Sequence, residues 1–140
     1  MNQLEIIRIE REEEMQKAWE IRKIVFVQEQ NCPEVLEYEF EEESTHYLAY
    51  FNQVPVATCR WRTTEKGIKF ERFAVLAPYR RKGIADALVK FLLHEVASKQ
   101  QKIYLHAQVS AMPLYAKNGF IPEGEKFDEA GIEHFRMVKN

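Results

Sequence analysis

Leu4-Glu5-Ile6-Ile7-Arg8-Ile9 partly alternates apolar and polar side chains, which predicts a short first strand. The period then changes. Met15, Ala18, Trp19, Arg22, Val25 and Phe26 recur at a spacing of about 3.6 residues, so Glu12 to Glu29 reads as a helix. Glu12, Glu13 and Glu14 fall in its first turn, where the helix dipole favours negative charge. Asn31 to Ser44 is an acidic connection containing Pro33, expected to form a flap or to carry a further helical turn within Glu34 to Glu43. Thr45 to Phe51 and Val54 to Thr63 read as strands joined by a tight hairpin at Asn52-Gln53. After a turn at Lys66-Gly67 comes the strand Ile68 to Leu76. Ile84, Leu88, Phe91, Leu92 and Val96 form the apolar stripe of a helix from Ile84 to Val96. Lys102 to Gln108 is a strand with Ile103, Leu105 and Ala107 on one face. Ala111 to Lys117 is a short helix that Asn118-Gly119 ends. Phe120 to Pro122 and Ile132 to Val138 are the last strands.

The order is therefore β-α-β-β-β-α-β-α-β-β, an α+β fold with a mixed sheet. The unit from Ile68 to Gln108 must be a right-handed crossover, which makes its two strands parallel neighbours. At 140 residues the chain is expected to be a single domain over residues 1–140. Hydrophobic residues make up 46% and charged residues 30%, a balance that fits a soluble globular protein rather than a disordered one. The net charge of −2 carries no nucleic-acid signature. Cys32 and Cys59 have no metal-ligand spacing, so no metal is expected. Met1 to Glu13 lacks the apolar core of a signal peptide, and no apolar run approaches the ~20 residues that span a bilayer. A reduced cytoplasmic setting follows as the expectation.

The chemistry concentrates at Arg80-Arg81-Lys82-Gly83-Ile84-Ala85, between a strand and a helix. The first N–H groups of a helix lack partners within it and carry partial positive charge, so a phosphate can sit there. Gly83 lets the backbone approach a ligand closely, and Arg80, Arg81 and Lys82 add full charges. The loop reads as a seat for a phosphorylated cofactor.

These six residues match the Gln/Arg-x-x-Gly-x-Gly/Ala signature of the GNAT (GCN5-related) N-acetyltransferases. Arg72-Phe73-Ala74-Val75 and Pro78-Tyr79 upstream, and Leu114-Tyr115-Ala116-Lys117-Asn118-Gly119-Phe120 downstream, resemble that family's flanking motifs. The resemblance extends over nearly the whole chain. Val25-Phe26-Val27-Gln28-Glu29-Gln30, His46-Tyr47-Leu48 and Ile132-Glu133-His134 are similar to a small ElaA-like branch, whose acceptors are largely unassigned. Gln108 stands where many relatives have Asn, but its amide can donate and accept in the same way.

The resemblance implies a GNAT acyl-CoA N-acyltransferase fold whose two central parallel strands splay, with acetyl-CoA in the gap. The pyrophosphate would rest on the N–H groups of Arg81, Lys82, Gly83, Ile84 and Ala85, beside Arg80. The pantetheine arm would pair with the backbone of Phe73, Ala74 and Val75, with Gln108 nearby. The N–H of Ala74 or Val75 would meet the thioester oxygen. Tyr115 would be the general acid and would also touch the cofactor. The amine's base stays open between Glu71, placed with Phe73 by period-2 alternation, and His46, which titrates near neutral pH. His106 and His134 read as structural or exposed, His94 as solvated and Cys59 as core. The implied activity is transfer of an acetyl group from acetyl-CoA to a primary amine by a monomer or homodimer. The alternatives are an acyltransferase like the acyl-homoserine-lactone synthases, to which Arg22 to Phe26 is similar, or a non-enzymatic acyl-CoA sensor. The acidic segment Glu34 to Glu43 would border the acceptor cleft and steer a cationic amine.

Overall fold

The computed structural model describes residues 3–33 and 39–139. Among them run β1 (Leu4–Arg8), α1 (Glu12–Arg22), β2 (Thr45–Phe51), β3 (Val54–Thr64), β4 (Gly67–Val75) and α2 (Ile84–Val96). Then follow β5 (Ile103–Gln108), α3 (Met112–Ala116), β6 (Phe120–Pro122), β7 (Phe127–Glu129) and β8 (Ile132–Lys139). The expected helices and strands are present, and apart from the end of the first helix no end moves by more than a residue. The further turn expected within Glu34 to Glu43 falls largely outside the described residues.

Two differences matter. The first helix does not stay α-helical to Glu29, because Lys23–Glu29 winds as a π-helix. The wider winding turns Ile21 and Val25 inward beside Ala18, while Trp19 reaches sideways to a carboxylate. The second difference is β7, which the residue pattern does not predict, since Phe-Asp-Glu carries no period. It forms only because Ala130 (φ 53°) and Gly131 (φ 79°) turn the chain back onto β8. The Asn52-Gln53 hairpin is as tight as expected, with φ of 51° and 71°, the positive pair that matches strand twist.

The sheet order is β1-β2-β3-β4-β5-β8-β6, with β7 paired to β8. β4 and β5 are parallel, as the crossover requires. On one face α2 and α3 cover Ile68, Phe70, Leu105, Phe120 and Met137. Leu88 and Leu92 of α2 are fully buried there, each contributing about 1.5–3 kcal/mol. On the other face α1 lays Ala18, Ile21 and Val25 over Leu48 and Ala74.

One irregularity positions everything that follows. In β4, Ala74 pairs with Thr58 but Glu71 pairs with Arg60, so Arg72 and Phe73 together face Cys59. Arg72 takes φ 61° at this bulge. An extra residue reverses which face later side chains occupy and bends the strand. β4 and β5 pair from Ile68↔Ile103 to Phe70↔Leu105 and then separate.

Candidate active site

A cavity of about 410 Å³ opens where β4 and β5 part. Phe73, Tyr115 and Gln108 line it, together with Glu71, His106 and His134.

The strand edge facing this gap is set by the ladder to β3. Leu76 N–H donates to Val56 O at 2.9 Å. By antiparallel alternation, Ala74 also spends its backbone groups on β3, while Val75 turns its N–H and C=O toward the gap. The Val75 carbonyl accepts from Arg80 Nε at 2.8 Å on that outer side. Of the two residues expected to offer the donor, Val75 is the one whose N–H faces the gap, while that of Ala74 faces β3.

Below this edge lies the basic turn. Arg81 (φ 64°) and Gly83 (φ 80°) both adopt left-handed backbone, and Gly83 caps α2. Ala87 N–H donates to Gly83 O at 3.0 Å, so the preceding N–H groups have no partner inside the helix. No atom lies within 4 Å of where a Gly83 Cβ would stand. Open space over unpaired donors fits a diphosphate. Arg80 departs from expectation: besides Val75 O, its guanidinium holds Glu29 at 3.0 Å, tying the π-helical stretch to β4. Arg81 and Lys82 remain exposed.

Tyr115 stands on α3 against Phe73 and Phe120, at ring distances of 5.8 and 6.2 Å. Burial, with Cys59 beside it, pushes its phenol well above the ordinary value, so it stays protonated at neutral pH. Burial also raises the Cys59 thiol well above its usual range, which suits a core residue and not a nucleophile. Gln108 donates from Nε2 to Gln30 Oε1 at 3.0 Å across the mouth of the gap.

Glu71 and His46 do not sit as expected. The bulge at Arg72 puts Glu71 on the face opposite Phe73, because strict alternation fails across an inserted residue. There Glu71 is clamped by Arg60, Arg62 and Lys69 at 2.8, 2.7 and 3.2 Å. Burial alone would raise its pKa, but the three cations outweigh burial and hold it at about 2. A carboxylate that weakly basic is a poor proton acceptor near neutral pH. His46 lies outside the cavity lining, its Nε2 3.0 Å from Glu41 O, and burial lowers its pKa. Glu41, from the acidic segment, is engaged by buried Arg22 and Arg60 at 2.7 and 2.6 Å and by Trp19 Nε1 at 2.6 Å. It ties its own stretch of chain to the sheet and is committed to these partners, while Glu39 of the same segment lines the cavity.

The opposite wall gathers residues that sequence reasoning sets aside. Glu129 Oε1 accepts from His106 Nδ1 at 3.1 Å, and Glu129 Oε2 lies 3.7 Å from His134 Nε2. That hydrogen bond from His106 is the main reason the Glu129 carboxyl sits below its usual range. Phe127 stacks on His134 at 5.9 Å and meets His106 edge-on at 5.0 Å. One signal is available in the sequence. Alternation along β5 sets His106 and Gln108 opposite Leu105, and the β8 register then brings His134 across from Gln108. Among the described residues, no group of three or more His, Cys, Asp or Glu could hold a metal ion.

A model of the acetyltransferase (GNAT) domain matches residues 10–140. The chain belongs to this family. As a GNAT protein it is an acyltransferase, and the family uses acetyl-CoA. It is 38% identical to the uncharacterized N-acetyltransferase YjcF of Bacillus subtilis, covering 92% of this chain and 94% of that one. The crystal structure of Escherichia coli ElaA shares the fold, with a TM-score of 0.84 at 23% identity over 100% of both chains. A GNAT acetyltransferase from Elizabethkingia anophelis with acetyl-CoA bound also matches, with a TM-score of 0.72 at 16% identity over 96% of this chain and 94% of that one. Among the described residues, no helix is long and apolar enough to cross a membrane.

Proposed function

We propose that this chain is a cytoplasmic, single-domain N-acetyltransferase that moves the acetyl group of acetyl-CoA to a primary amine. The amine belongs to a small molecule or to a protein lysine or N-terminus, and it attacks directly with both substrates bound to a monomer or homodimer. The observation that carries this reading is the parting of β4 from β5 beyond Phe70 and Leu105, above the unpaired N–H groups at the start of α2.

Each residue then has one task. The N–H groups from Arg81 to Ala85 bind the diphosphate, with Arg81 and Lys82 supplying charge. Phe73 and Val75 offer their gap-facing backbone to the pantetheine arm. Val75 N–H meets the carbonyl oxygen as negative charge builds on it, a contact worth about 2.7–4 kcal/mol in acyl transfer. Tyr115 donates its hydroxyl proton toward the sulfur. Its raised pKa makes outright transfer uphill from the phenol to a thiolate whose conjugate thiol titrates at ~8.5, so the hydroxyl acts as a hydrogen-bond donor and relay.

Thermal unfolding with added acetyl-CoA tests the reading. At ~100 times Kd the ligand should add about 2.7 kcal/mol of stability, and added amines should release free thiol from acetyl-CoA. A melting curve unmoved by millimolar ligand would remove the proposal.

A further inference from the structure

His134 is only 6% exposed, and its ring is held by one hydrogen bond and by the face of Phe127. Nδ1 lies 2.7 Å from Ile132 O. A carbonyl oxygen only accepts, so Nδ1 carries the proton, and in the neutral ring Nε2 bears the lone pair. That lone pair faces Glu129 Oε2 across 3.7 Å, too far for a direct hydrogen bond. The other Glu129 oxygen is already taken by His106. With the ring neutral, two acceptors thus face each other at the edge of the cavity. The groups facing His134 are Glu129 from β7 and Gln108 from β5, with His106 of β5 and Lys69 of β4 close enough to influence Glu129. Gln108 Nε2 donates to Gln30 and Lys69 Nζ pairs with Glu71, so both donors are spent away from the gap between Nε2 and Oε2.

A cationic N–H group completes this arrangement. We propose that His134 Nε2 and Glu129 Oε2 receive the acceptor as an ammonium ion, and that His134 takes the proton that frees the amine for attack. The inference rests on the acetyl-transfer reading and names its acceptor class: a primary amine that arrives positively charged. The proton balance closes. One ammonium proton passes to His134 Nε2 and on to solvent. The nitrogen lone pair forms the bond to the acyl carbon, and the carbon–sulfur bond breaks with its electrons on sulfur. The second proton lost by nitrogen reaches sulfur through the Tyr115 hydroxyl. His134 is the catalytic base, while Glu129 is a positioning residue that stabilises the imidazolium.

Two measurements test this, with n-butylammonium chloride as probe and sodium butyrate as control. In nitrogen-15 spectra of the histidine side chains, His134 should show a protonated Nδ1 and a bare Nε2. Butylammonium should move the His134 and His106 signals and leave His94 unmoved, and butyrate should move none. The second measurement follows thiol release from acetyl-CoA. H134N keeps a donor at the Nδ1 position and removes the base, so kcat/KM should fall about 100-fold and lose its rise with pH. E129Q should raise KM for butylammonium more than it lowers kcat, because the ammonium loses the carboxylate that positions it. Stabilisation by acetyl-CoA should be unchanged in both variants, which separates this inference from the cofactor reading. A bare Nδ1, histidine signals indifferent to butylammonium, or an H134N pH profile like that of the wild type would overturn it.

Discussion

Two carboxylates line the same cavity and live in different company. Glu71 has three cations within 3.2 Å and its carboxyl is held at about 2. Glu129 faces two histidines, one at hydrogen-bond distance and one across a gap. Charge that is fully paired locks a wall in place. Charge left one partner short can bind something. The Glu71 wall, continued through Arg60 to Glu41 and Arg22, ties Glu41 to the sheet, whereas the Glu129 wall is arranged to take a cation.

The largest test of that contrast is Arg60→Met. Arg60 is 1% exposed and bridges Glu41 and Glu71, so its loss takes a cation from each of two half-buried carboxylates. Urea unfolding should show about 3–5 kcal/mol less stability. A change below about 1 kcal/mol, the size seen for surface pairs, would mean the wall is not locked. The pH dependence of Glu71 comes next. Its pKa falls from 4.5 unfolded to about 2 folded. Its contribution is therefore complete above pH 4.5 and disappears as pH drops toward 2, and it amounts to roughly 3 kcal/mol. Unfolding curves of wild type and Glu71→Gln, run from pH 7 down to pH 2, should converge over that window. A constant separation would show that the clamp does not set the carboxylate's ionisation.

Tyr115→Phe probes the side of the cavity where the acetyl donor would lie. It removes only a hydroxyl, so kcat should drop about 100-fold while acetyl-CoA still raises the melting temperature to the same extent. Loss of that stabilisation would make Tyr115 a packing residue, held by its contacts to Phe73 and Phe120.

The donor side is legible in the sequence because it is local. The basic turn, the strand before it and the helix after it are consecutive, and the binding groups are main-chain atoms whose direction follows from the turn. Tyr115 can be placed because its short helix is bracketed by Asn118-Gly119. The acceptor side is assembled from afar. His106, Glu129 and His134 meet only once β7 folds onto β8 and β8 lies against β5, and β7 has no pattern of its own. Alternation misplaces Glu71 for a related reason. A period of two holds along an unbroken strand, and nothing around Arg72 announces that this residue takes a positive φ and shifts the parity. Glu41, held against Arg22 and Arg60, looks in sequence like any other member of an acidic run.

The smallest effect is also the best controlled. Gly83 and Gly124 share almost the same φ, 80° and 85°, and at neither does any atom lie within 4 Å of the place a Cβ would occupy. Alanine at either site should therefore cost the same backbone strain, about 1–2 kcal/mol, with no clash to confuse the comparison. The two glycines differ in what they stand beside. Gly83 caps α2 among the proposed diphosphate donors, while Gly124 lies between β6 and β7. Gly83→Ala should thus weaken stabilisation by acetyl-CoA as well as lowering intrinsic stability, and Gly124→Ala should lower intrinsic stability alone. Equal acetyl-CoA shifts in the two variants would mean that the turn's backbone does not touch the ligand, because strain is matched and only proximity differs.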